Sequence, residues 1–214
     1  MPTHVPVFVL TVGLLAMLPG AGQALMTRQT LQGGRHSAYA TIGGTATGLL
    51  IWSSAAAAGL SAVLLTNPAA YAAVRIAGGI VLLVLGVNTL LALRGSAPEA
   101  TGATTSAARI ESGGRIGHRS GYGAGLATNL GNPKAGVFAI SVLPQFVTAH
   151  GPVLLSSILL GVIWASVTVC WYLLFTWAVD RGRVLVSRPS VHRALQLTTG
   201  TVLLLLGLAV ASGI

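Results

Sequence analysis

The sequence predicts an all-α integral membrane protein: a single bundle of six transmembrane helices in two inverted three-helix halves, with helices 1 and 4 broken by proline and glycine. Three observations lead there. Of 214 residues, 53% are hydrophobic and only 7% charged, whereas soluble domains carry about a quarter charged residues. So few polar groups cannot cover a water-facing surface, and the mean hydropathy of +0.81 agrees. Six apolar stretches recur along the chain, and a helical crossing takes roughly 20 such residues. The basic residues fall in every second connector between these stretches.

Residues 5–26, 38–65 and 74–93 form the first three stretches. The fourth, 121–147, is interrupted, and 153–179 and 194–214 complete the set. Inside lipid the backbone N–H and C=O groups have no water to bond, so segments of this length become helices; barrel strands are shorter and alternate. The bundle divides into a first half at 1–94, a cytoplasmic loop at 95–120 and a second half at 121–214. Gly, Ser, Thr and Ala dominate residues 95–114, the composition of a flexible connection.

The connectors fix the expected orientation. No Lys or Arg precedes Phe8, Arg28 and Arg35 occupy the first connector, and the second (66–73) has none. Arg94, Arg109, Arg115 and Arg119 lie in the third, none in the fourth (148–152), and Arg181, Arg183, Arg188 and Arg193 in the fifth. Cytoplasmic loops collect such residues, so both termini are expected outside the cell, in a multi-pass protein of the cytoplasmic membrane. Arg75 and Lys134 stand apart from the pattern, the latter inside the fourth stretch. Gly22 and Ala24 faintly resemble a signal-peptide cleavage site, but the charged leader is missing and cleavage would leave an odd number of spans, so the first helix is expected to be retained.

Pro19-Gly20-Ala21-Gly22 interrupts the opening helix of the first half, and Gly131-Asn132-Pro133-Lys134 the opening helix of the second. Counted from opposite faces at ~1.5 Å per residue, both breaks fall in the middle third of the bilayer. Proline leaves the carbonyl one turn back without its helical partner, and glycine permits unwound backbone. Such breaks persist only where protein buries them or they line a cavity, and paired breaks point to a transporter's substrate site. Against this stands a simpler reading, a kink in one helix and an ordinary Asn-capped, Pro-led helix start in the other. Lys134 favours the site, because a lysine at a helix centre costs roughly 2.5–3.5 kcal/mol and needs polar company; its alternative is snorkelling to the interface.

Over nearly its whole length the chain resembles the LysE/RhtB group of amino-acid exporters. Gly125-Leu126-Ala127-Thr128-Asn129-Leu130-Gly131-Asn132-Pro133-Lys134-Ala135, then Phe138 and Leu143-Pro144-Gln145-Phe146-Val147, is similar to the group's second signature. Pro19-Gly20, Gly33-Gly34-Arg35, Gly43 and Gly48 resemble the first, and Ala77-Gly78 through Leu85-Gly86 the third helix. The usual Pro-Gly-Pro followed by Asn or Asp reads Pro-Gly-Ala-Gly here, with Ala21 and Gly22 in the last two places. The resemblance implies efflux of amino acids or close derivatives, driven by the proton gradient.

The residues suit such a solute. Lys134 and the amides after Pro133 offer a place for a carboxylate, while unwound carbonyls near Pro19, with the side-chain oxygens of Asn129 and Asn132, offer one for an ammonium. The candidate substrate-binding set is Pro19, Gly20, Gly22, Asn129, Asn132, Pro133 and Lys134. No Asp or Glu lies within a span: Glu99 and Glu111 are in the loop, and Asp180 ends the fifth helix. The five histidines all fall in or beside connectors. Coupling therefore uses Asp180, whose simpler role is pairing to a nearby arginine, or protonation of the substrate, or the mechanism is not proton antiport. A dicationic substrate would need a buried counter-charge, so a neutral or zwitterionic solute is expected.

Other classes fit less well. Ser53, Ser54, Ser141 and Ser166 lie in spans without a His or carboxylate at their depth, which leaves an intramembrane hydrolase no catalytic set. Cys170 is the only cysteine, so no disulfide forms within the chain and no thiolate cluster holds metal; no cofactor is expected. The formal charge of +9 does not mark nucleic-acid binding, because the cations sit between apolar runs. An exporter of another small solute or a metal ion is the nearest rival, and a scaffold would leave the paired breaks without a purpose. The expected partners are the solute and the bilayer, with a homo-oligomer left open. Gly44 with Gly48, and Gly78-Gly79 with Gly86, are expected to let helices approach closely. The four tryptophans are expected to be core or interface anchors.

Overall fold

A computed structural model describes residues 4–17, 20–66, 68–91, 93, 118–147, 153–181 and 189–212. Pro19, most of the 95–120 connector and its acidic residues Glu99 and Glu111 lie outside the described residues. Every element described is helical: α1 (Val5–Met17), α2 (Ala21–Thr66), α3 (Pro68–Leu91), α4 (His118–Leu130), α5 (Pro133–Val137), α6 (Val153–Arg181) and α7 (Pro189–Ser212). A π-helical turn (Phe138–Val142) and a 3-10 turn (Leu143–Phe146) continue α5.

The first connector differs from its expected form. Instead of a basic loop between residues 26 and 38, helix continues through Arg28 and resumes at once at Arg35, with only Gly34 non-helical (φ 74°, ψ 176°). That backbone region is open to glycine and to almost nothing else. The chain reverses there. Met26 and Ile42 share one apolar cluster with Tyr172, although along a straight helix they would stand about 24 Å apart. The Ser37 hydroxyl donates to Gln29 Oε1 across the same corner. α2 is thus two arms, 21–33 and 35–66, meeting head to head at one glycine.

The directions in which helices pack follow from their neighbours. Gly13 meets Val167, and Gly22 meets Tyr172, so α1 and the first arm of α2 run alongside α6 in the same sense. The second arm runs against α6, with Arg35 beside Asp180 and Ser53 beside Gly161. α4 runs with that second arm: Gly121 faces Ser37, Gly125 faces Thr41, and Gly48 faces Asn129. A side chain on Gly125 or on Gly44 would enter the backbone carbonyl of Thr41 or Tyr122, so only glycine allows this contact.

α3 and α7 cross antiparallel on a reciprocal glycine seam. A Cβ on Gly79 would lie 2.9 Å from the Gly207 carbonyl oxygen, and one on Gly207 2.9 Å from that of Gly79. Gly86 and Gly200 repeat the relation at 3.0 and 3.1 Å. Both helices contain 24 residues, open on proline and carry glycine at their twelfth and nineteenth positions. The close approach expected for Gly79 and Gly86 is present, and their partners are Gly200 and Gly207.

Aromatic rings fill the space between α1, the π-helical turn and α6. Phe8 packs edge-on against Phe146 (centroids 5.0 Å apart), and Phe138 lies 4.7 Å from the Trp164 ring. Large apolar side chains also cover the outside, among them Leu10 (64% exposed) and Leu205 (62%). Val153–Arg181 is by itself long and apolar enough to cross a membrane, and Val5–Met17 with Ala21–Gly59 passes as a pair bent by 57°. Such an outer surface suits lipid.

Candidate functional site

Each helix break leaves a specific carbonyl without its helical donor. Residue 19 is proline, so Leu15 C=O, four residues earlier, receives no backbone bond from it; Pro133 does the same to Asn129 C=O. Both oxygens meet side chains from distant parts of the chain, and Asn129 O also accepts from the backbone N–H of Asn132 at 3.1 Å. Lys134 Nζ donates to Leu15 O at 3.3 Å, and Trp52 Nε1 reaches Asn129 O at 3.4 Å. These are long contacts beside the usual 2.7–3.2 Å, though the first carries a full charge, which strengthens it.

Lys134 is the only lysine among the chain's twelve basic residues. The local sequence fixes its place. Asn132 is extended (φ −86°, ψ 109°), and its Oδ1 accepts from Lys134 N at 3.1 Å; Pro133 supplies the first helical position, where its missing N–H costs nothing. α5 then projects Lys134 across the bundle to the end of α1. The second break is so joined to the end of α1, one turn before Pro19, through one ammonium. The nearest partners of that ammonium are neutral, and among the described residues no three His, Cys, Asp or Glu come together.

Gln23 completes the end of α1. Its Nε2 donates to Ala16 O at 3.1 Å and to Met17 O at 3.0 Å, so three successive carbonyls, 15 to 17, meet side-chain donors. Around Gly20 the space is open: a Cβ there would meet nothing within 4 Å. Gly22 differs, because Tyr172 Oη lies where its side chain would begin. On the other break, Trp52 lies across Gly136, whose Cβ would come 2.9 Å from the indole, while its Nε1 reaches Asn129. Asn129 itself is 7% exposed, and its Oδ1 is buried without a hydrogen-bond partner.

The sequence candidates therefore separate. Lys134, held at its helix start by Asn132 and Pro133, meets the carbonyl that Pro19 releases, and a Cβ on Gly20 would meet nothing within 4 Å. Gly22 turns to Tyr172, and Asn129 to Gly48 and Trp52. Asp180 is elsewhere, bonded to Arg35 (Nε to Oδ2, 3.2 Å) at the end of α6; Arg181 instead lies 5.2 Å above the Trp177 ring. The sequence does not single out Leu15, Gln23 or Tyr172, and it offers Trp52 only as one of four tryptophans read as core or interface anchors or pathway lining. Leu15 was within reach, since it stands four residues before Pro19. Nothing in the sequence marks Gln23 or Tyr172.

A helical chain with an apolar outer surface, whose two interrupted segments are tied by one ammonium, has the make-up of a membrane transport protein. The model of the LysE type translocator family matches residues 14–213, and the chain belongs to that family. The homoserine/homoserine lactone efflux protein of Salmonella typhimurium is 28% identical over 207 residues, covering 96% of this chain and 94% of the relative. Its counterpart in Salmonella typhi is equally similar. The uncharacterized membrane protein YrhP of Bacillus subtilis is 25% identical over 201 residues, 94% of each chain. No solved structure matches.

Proposed function

We propose that this translocator exports amino acids or close derivatives that carry no net charge across the cytoplasmic membrane, and that export is coupled to the proton gradient. The observation that carries this reading is the Lys134 Nζ to Leu15 O bond. Without solute, the ammonium satisfies itself on the carbonyl that Pro19 leaves free. A bound amino acid offers Lys134 a carboxylate, the better partner, and its own ammonium takes over Leu15 O. One exchange then reads both ends of a zwitterion. The unpartnered Oδ1 of Asn129 is a further acceptor beside the second break.

Six crossings in two inverted halves agree with the packing directions, in which α1 pairs with α6 and α4 with the second arm of α2, each in parallel. The end bearing Arg28, Arg35 and Asp180 is assigned to the cytoplasm by its basic residues. The Salmonella relatives guide the choice of solutes. In everted membrane vesicles, uptake of L-homoserine, which has a carboxylate, should exceed that of its lactone, which lacks one; serine and threonine serve as further neutral probes. Uptake of none of the amino acids, or equal uptake of homoserine and lactone, would overturn the exchange at Lys134.

A further inference from the structure

Hydroxyls within these helices ordinarily bond the carbonyl one turn back, as Thr27, Thr30, Thr41, Ser53 and Thr89 do. α6 departs from this. Of the five buried side-chain N or O atoms without a partner among the described residues, four are on α6: Ser157 Oγ, Thr168 Oγ1, Trp171 Nε1 and Thr176 Oγ1. Thr168 is 5% exposed and Thr176 0%. Native proteins seldom leave such atoms dry, so each calls for a water or a ligand.

The α6 groups form a row. Thr168, Tyr172, Thr176 and Asp180 follow one another at intervals of four residues, about 6 Å per step along a helix. At its middle, Tyr172 Oη abuts Gly22 in the first turn of α2, just past the Pro19 break. At its end Asp180 is bonded to Arg35, which joins α6 to the second arm of α2. The row thus begins at Thr168, passes the break at Tyr172 and ends at an ion pair, and no charged side chain stands in it before Asp180.

We propose that Thr168, Tyr172 and Thr176 form a second solute subsite, a hydroxyl-lined passage from the cytoplasmic end to the Pro19 break, closed at its mouth by the Arg35–Asp180 pair. It takes a small, net-neutral solute of amino-acid size, because neutral hydroxyls can donate or accept but cannot balance a net charge. Opening needs only the parting of a half-exposed ion pair, a contact of little intrinsic strength. This inference rests on the exporter reading given above for the direction of travel, but the access it claims can be measured without transport.

Cys170 is exposed, so the test begins from Cys170→Ser in the full chain. Thr168→Cys, Thr176→Cys and, as an outward-facing control, Leu174→Cys (Leu174 is 54% exposed) are reacted in open membrane fragments with 2-hydroxyethyl methanethiosulfonate, a small, neutral, water-soluble reagent. The two passage cysteines should react at least tenfold faster than the control, and Arg35→Gln should raise their rates several-fold more. Rates equal to the control would show dry packing and overturn the passage. Tyr172→Phe keeps the ring, and should raise KM for L-homoserine about tenfold with kcat little changed; an unchanged KM would remove Tyr172 from the subsite. Fast labelling without export of any amino acid would keep the passage and refute the solute class, whereas export with slow labelling would do the reverse.

Discussion

At the scale of single residues, the choice of lysine at position 134 has a physical reason. The other eleven basic residues are all arginine. An ammonium is a compact charge that fits a lone carbonyl, whereas a planar guanidinium with five fixed donors wants a carboxylate's two oxygens. Lys134→Arg should therefore fail nearly as badly as Lys134→Ala, each cutting L-homoserine export at least tenfold while the protein still reaches the membrane. Export by Lys134→Ala at the parental rate would return Lys134 to a snorkelling role. Gly22 supplies a second case. Gly22→Ala drives a methyl into Tyr172 Oη, and overpacking of this kind costs about 1–3 kcal/mol. Removal of the obstacle should undo the damage, so Gly22→Ala with Tyr172→Phe should melt in detergent closer to the parent than Gly22→Ala alone.

At the scale of elements, two corners carry unequal risk. Gly34 holds a conformation that an L side chain resists (φ 74°, ψ 176°), and occupying it costs roughly 1–3 kcal/mol. Gly34→Ala should lower the melting temperature and membrane yield, while Gly59→Ala, where a Cβ meets nothing within 4 Å, should not. The four-glycine seam of α3 and α7 behaves differently, since its backbones touch at 2.9–3.1 Å through their would-be Cβ positions. One alanine there already forces a neighbour aside, most of all at Gly200, whose Cβ would lie 2.4 Å from Leu90 Cγ. Alanine at both Gly79 and Gly207 places two methyls in one crossing, and the loss of melting temperature should exceed the sum of the single effects.

At the scale of the molecule, the proposed six crossings stand or fall with the face on which the long connector lies. A cysteine placed in the 95–114 segment should react with a membrane-impermeant maleimide in everted vesicles and not in intact cells. Reaction from the outside would invert the topology and put the Arg35–Asp180 end on the wrong face. The helical class and the apolar exterior were legible in the sequence because lipid penalises polar backbone and charge over the whole length of a span. The basic loop expected near Arg28 and Arg35 was not. Its composition looks like a connector, yet one glycine in a rare backbone region lets helix run almost to the corner.

The sequence by itself determined the helical class, the apolar exterior, the family and the helix start at Pro133. Each follows from covalent chemistry or solvent preference acting locally: proline has no N–H, lipid offers no hydrogen bonds, and an amide-capped proline starts a helix. Which groups answer the broken carbonyls was decided only in three dimensions. Lys134 and Leu15 are 119 residues apart, and Trp52 and Asn129 are 77 apart, so no local pattern connects them. The same holds for Tyr172 against Gly22 and for Asp180 with Arg35, where packing of whole helices sets the neighbour. Hydrogen bonds at such separations exist because helices far apart in the chain are docked against one another.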